Sequence, residues 1–115
     1  MTEYFKAHQK YGRKVIRAAK AAGYAIGVMY EDDDLALKAS TKHTEKALME
    51  ELYACACGTL FFYNPHETDG ATGRASYLGA IFFVHVNDPD ESISDYTDNP
   101  QMAALVAAAE KGNLT

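Results

Sequence analysis

The sequence has no apolar run approaching ~18 residues, so it predicts no membrane-spanning helix. Its N-terminal decapeptide, MTEYFKAHQK, is polar and amphipathic rather than apolar with a small-residue cleavage site, which argues against a secretory signal and for a cytoplasmic chain. Cysteine is scarce. Cys55 and Cys57 stand one residue apart, too close for an unstrained bridge, so both are expected as small apolar side chains in a reducing compartment. A zinc site would need two more ligands, and the histidines at 8, 43, 66 and 85 are scattered, so no metal and no cofactor is expected. No glycine-rich phosphate loop, nucleophile elbow or HExxH motif occurs. From Ala75 to Glu110 there is no lysine or arginine.

What is present is one domain's worth of chain. Its 115 residues, 48% hydrophobic and 23% charged, are enough for a core without staples. The net charge of −5 is unevenly spread. Residues 1–22 hold six bases against one acid, and the remainder holds five bases against fifteen acids. The molecule has a basic end and an acidic body.

Residues 3–22 predict an amphipathic helix. Tyr4, His8, Tyr11, Val15, Ala18, Ala19 and Ala22 form its apolar stripe, and Lys6, Lys10, Arg13, Arg17 and Lys20 lie about half a turn away. Gly12 weakens its middle by roughly 1 kcal/mol, and Gly23 is placed to end it. Residues 24–30 and 35–40 read as strands around the acidic tip EDDD, a hairpin. A helix over about 42–54, capped by Ser40 or Thr41, follows. Residues 55–64 read as a strand, 65–76 as a loop, and 77–87 as the longest strand. Along it Ala80, Phe82, Val84 and Val86 alternate with Ile81, Phe83 and His85. Apolar residues on both faces predict a central strand covered on each side, with Phe61 or Phe62, Phe82 and Val84 under the helices. Asn99-Pro100 opens a last helix that ends at Gly112, with Asp98 or Asn99 as its cap. The expected fold is a single α+β domain over 1–115, in the order α-β-β-α-β-β-α, around an antiparallel sheet of about four strands packed by helices.

The stretch VNDPDESISDYTDNP (86–100) carries five acids and no base. As a calcium loop starting at Asp88 it would put Ile93 at the sixth position and Asn99 at the twelfth, where glycine and glutamate are needed, and it fails there. As a connection it explains itself: Asn87 to Asp90 end a strand with turn residues, and the acids suit a following helix dipole. The run GAIFFVHVNDPDESISDYTDNP (79–100) resembles short, mostly uncharacterised proteins encoded by phages and prophages. In these a strand ending GN or ND leads into an acidic D/E-x-I-x-D-Y-T-x-N segment. Members often carry a tryptophan after the glycine, and this chain has none. The resemblance implies a phage or prophage context and brings no catalytic residue with it.

Three functional classes remain. For an enzyme, Cys55 or Cys57 with His43 or His85 would have to form a nucleophile and base. For nucleic-acid binding, Lys6, Lys10, Arg13, Arg17 and Lys20 would track phosphates, but the helix's tyrosines sit on its other face and the net charge repels a duplex. The reading the residues favour is a small acidic protein without catalysis. It would occupy a host protein with a basic surface, such as defence or nucleic-acid-handling machinery, through Glu31, Asp32, Asp33 and Asp34 at the hairpin tip and Asp88, Asp90, Glu91 and Asp95 after the long strand. A second copy of the chain is the other partner to consider.

Overall fold

The computed structural model describes residues 3–30, 34–54, 57–68, 75–85 and 92–111. Helix α1 (Glu3–Ala21) is followed by strands β1 (Ala25–Tyr30) and β2 (Leu35–Ser40), helix α2 (Glu45–Leu52), strands β3 (Cys57–Thr68), β4 (Ala75–Val84) and β5 (Ile93–Tyr96), and helix α3 (Pro100–Lys111). One antiparallel sheet runs in the order β2-β1-β3-β4-β5. The single α+β domain matches expectation; the strand count does not. Residues 93–96, read above as part of a connection, pair with β4 as a fifth strand. Two residues of this strand have polar side chains exposed at the sheet edge, so it shows no apolar period of its own.

Local chemistry accounts for the helix ends. Gly23, at φ +82°, takes the left-handed cap after α1, with Gly23 N–H donating to Lys20 O (3.0 Å) and Tyr24 N–H to Ala19 O (3.1 Å). Helix α2 is shorter than expected and is capped by Thr44, whose Oγ1 accepts from Ala47 N (3.1 Å), rather than by Ser40 or Thr41. Asn99 caps α3: its Oδ1 accepts from Met102 N (2.8 Å) and its Nδ2 donates to Leu78 O (2.7 Å), tying the helix to β4. The expected loop over 65–76 is narrower, because β3 runs to Thr68 and β4 starts at Ala75; positions 69–74 lie outside the described residues.

All three helices pack on one face of the sheet. Ile26, Val28, Leu60, Phe62, Ile81 and Phe83 point into them, against Val15, Ile16, Leu48, Leu52, Met102 and Val106 in one continuous core. The predicted face of β4 is therefore reversed. Phe82 and Val84 lie on the opposite side and are only half-buried, whereas Ile81 and Phe83 are sealed. The expectation that both faces are covered fails as well, since among the described residues no helix packs on the second face. Phe62 rather than Phe61 is the core residue of β3, and Phe61 lies across the rung from Gly27. A Cβ at Gly27 would fall 2.2 Å from the Phe61 ring, so this glycine lets the ring lie flat over the strand. On α1 the buried stripe contains Ile16 and leaves Ala22 exposed.

Candidate functional site

The acids at 31–34 and 88–91 come from two separate connections, and sheet register relates them. Tyr30, the last residue of β1, pairs with Gly58, which pairs with Phe83. Cys57 pairs with Val84, beside the end of β4. The chain thus leaves β1 toward 31–33 and leaves β4 toward 86–91 at one end of the sheet, with a single strand between them. Second-neighbour strands lie roughly 10 Å apart. Each connection also returns where it left. Tyr30 N–H donates to Asp34 O (2.9 Å), and Val84 N–H donates to Ser92 O (2.8 Å). Seven carboxylates and no base occupy positions 31–34 and 86–91.

Of the candidate residues, Asp34 is described and exposed. Glu31, Asp32, Asp33, Asp88, Asp90 and Glu91 lie outside the described residues. Asp95 is exposed on β5 opposite Phe82, set back from this end along the sheet edge.

At the same end of the sheet is a buried polar node. The Tyr53 hydroxyl donates to His8 O (2.6 Å) and accepts from Gly12 N (3.2 Å). Its ring stacks on His85 with centroids 4.2 Å apart, and His8 and His85 rings meet edge-on at 6.1 Å. His85 Nε2–H donates to Leu52 O (3.0 Å), the last carbonyl of α2. Burial lowers the His85 pKa to about 4; the Leu52 carbonyl opposes the shift and His8 adds to it. Burial likewise raises the Tyr53 hydroxyl well above its ordinary range, with the Gly12 N–H opposing the shift. The node explains an oddity of α1: a Cβ at Gly12 would lie 2.5 Å from Tyr53 Oη. A similar approach occurs at Gly58, where a Cβ would lie 2.7 Å from Leu52 O. Together these contacts fix α1, α2 and the end of β4 to one another. A second tie comes from Tyr30, whose hydroxyl donates to Glu51 on α2. Sequence reasoning missed this node; a glycine inside a strongly periodic helix was its one visible signal.

Of the catalytic parts suggested by sequence, His43, Cys57 and His85 lie among the described residues. His85 is sealed, its Nε2 is engaged and it is a weak base. His43 is held at the start of α2 through Lys38 O (2.7 Å). Cys57 is half-buried in β3, and Cys55 lies outside the described residues.

The basic face of α1 is largely turned to the protein's own use. Arg17 grips Glu45 with Nε at 2.5 Å and Nη2 at 3.2 Å, and Arg13 adds a contact at 3.9 Å. The hydrogen bond to Glu45 raises the Arg17 pKa, and the same bond holds the Glu45 carboxyl below its ordinary value. Lys20 donates to His43 O. Lys6 and Lys10 are exposed. A shallow groove of about 470 Å³ runs between α1 and α2 over Met49 and Tyr53, rimmed by charges of both signs at Arg13, Glu45, Lys46 and Glu50.

Among the described residues no cluster of three or more metal-ligating side chains occurs, and no helix is long and apolar enough to cross a membrane. Compared with protein-family models, curated proteins and solved structures, the chain shows no significant match.

Proposed function

We propose that this chain is a small, phage- or prophage-encoded binding protein without catalytic activity, whose acidic end occupies a basic site on a host protein. The observation that carries the reading is the register of β1, β3 and β4, which makes both acid-rich connections leave the sheet at the same end. The seven carboxylates of these connections would make the local potential strongly negative and steer a basic groove toward it, as nucleic-acid phosphates would. Defence and nucleic-acid-handling proteins present such grooves. The buried His8–Tyr53–His85 node supports the reading as scaffolding, because it fixes the elements from which the connections spring. Nucleic-acid binding through α1 has less support, since Arg13, Arg17 and Lys20 already contact residues at the start of α2.

The test is kinetic. A host protein captured by the wild-type chain should associate faster at low salt than at high salt. The triple reversal Asp33→Lys, Asp90→Lys and Glu91→Lys should slow association by at least about tenfold while the thermal melt stays in place. Equal on-rates for the two proteins would remove the acidic end from the binding surface.

A further inference from the structure

The side of the sheet away from the helices carries an apolar surface that the proposed function does not use. We infer that this face is a dimer interface with a second copy of the chain, related by a twofold axis parallel to β3, in which Leu35 of each copy enters a groove on the other. Strand order makes β3 the middle of five, with two strands on either side. A twofold along β3 therefore lays β2 of one copy over β5 of the other.

One rung of the ladder decides what meets what. Leu35 pairs with Met29, Met29 with Thr59, Thr59 with Phe82, and Phe82 with Asp95. Register irregularities in β2 and β5 beside this rung set Leu35 opposite in phase to core-packed Leu37, and Asp95 to core-packed Ile93, so the five residues share one level and one face. Leu35, at the β2 end, is 52% exposed. At the β5 end of the same rung lies an open groove of about 230 Å³ lined by Ala80, Phe82, Asp95, Tyr96 and Thr97. Knob and groove are each two strands from β3, so the twofold superimposes one on the other. It also sets Met29 over Phe82.

An axis running across the strands along this rung would instead place Leu35 on Leu35 and Asp95 on Asp95, leaving both grooves empty. The face is aromatic from its centre toward the β3–β4 hairpin, with Phe61 against Tyr63 and Tyr63 against Tyr77, the last 55% exposed. Aromatic anchors ringed by polar residues are the usual energetic centre of an interface. Five strands by six rungs give a flat footprint on the order of 500 Å². Side-chain relief and the Tyr63–Tyr77 end of the β3–β4 hairpin bring it toward the roughly 800 Å² per partner of a stable interface.

The same axis points both acidic ends in one direction. Their repulsion is screened as salt rises, so self-association should tighten with salt while capture of a basic partner weakens.

The experiment is sedimentation equilibrium on the full chain with no partner present, which keeps it independent of the acidic-end reading. The wild type is expected to be a dimer. Leu35→Glu changes an exposed side chain and should leave the circular dichroism and melt intact while weakening the dimer at least about 30-fold. Leu35→Ala should weaken it by about tenfold and serves if the charged variant is unstable. Adding Asp95→Lys to Leu35→Glu should recover about tenfold, because the introduced charges then oppose across the interface. A wild type that stays monomeric at every accessible concentration overturns the proposal, as does a dimer indifferent to both Leu35 variants. No recovery in the double variant overturns the pairing of Leu35 with the β5 groove.

Discussion

Mild acid should destabilise this protein through His85 before its carboxylates matter. The ring is 3% exposed, stacked on Tyr53 and hydrogen-bonded to the α2 carbonyl at Leu52. Its pKa is about 4 in the folded chain against an ordinary 6.5. The unfolded chain therefore takes up this proton first as pH falls. Stability from the neutral ring is fully present above pH 6.5, declines through the interval below it, and is exhausted near pH 4. A difference of about 2.5 units at about 1.4 kcal/mol each gives roughly 3 kcal/mol, a large fraction of a small domain's total. Glu45 works in a lower window, since its lowered pKa makes its contribution disappear only below 4.5. The assay is urea unfolding by circular dichroism across pH 4 to 7, for the wild type and for His85→Phe, which keeps a ring against Tyr53 but cannot titrate. The two stability curves should converge toward pH 4. Parallel curves over the interval, or an imidazole resonance of His85 with a midpoint near 6.5, would refute the reasoning.

Two further substitutions probe the interior. Gly12→Ala should destabilise by about 1–3 kcal/mol in a thermal or urea melt, although alanine is the better helix former, because the added methyl would sit 2.5 Å from Tyr53 Oη; an unchanged or raised stability would show that Tyr53 does not need the gap. Phe83→Ala should cost about 3–5 kcal/mol, and Phe82→Ala clearly less, because only Phe83 is sealed under the helices; the reverse ranking in melts of the monomeric protein would mean that the faces of β4 are wrongly assigned.

Period made the helices legible, and end chemistry did so for α1 and α3, while the cap of α2 was misplaced. Val15 and Ala19 mark the buried stripe of α1, and Gly23 and Asn99 sit at helix ends where their chemistry is needed. The faces of β4 were not legible for a physical reason. Ile81 and Phe83 alternate with Ala80, Phe82 and Val84, and a two-residue period with apolar residues in both phases cannot say which phase meets the helices. Strand β5 was hidden because ISDY pairs through its backbone and carries little apolar surface. That β1 and β4 finish at the same end of the sheet depends on the pairing of both with β3, a long-range register that no local pattern encodes. The His8–Tyr53–His85 node left only Gly12 as a trace for the same reason, being assembled from α1, the end of α2 and the end of β4.

The strand order has a kinetic consequence. Hairpins β1–β2 and β3–β4 and the β4–β5 pair each join neighbours in sequence, so they can zip up locally within microseconds. The pairing of β1 with β3 is different: it must close the span from Tyr30 to Gly58, across β2 and the whole of α2. That closure carries the entropic cost of the longest loop in the sheet and comes before the contacts that reward it. The folding barrier should therefore lie at the docking of two preformed hairpins, with Gly27, Phe61 and their neighbours in the β1–β3 seam governing the refolding rate, while the short α2 consolidates afterward against a seam already made.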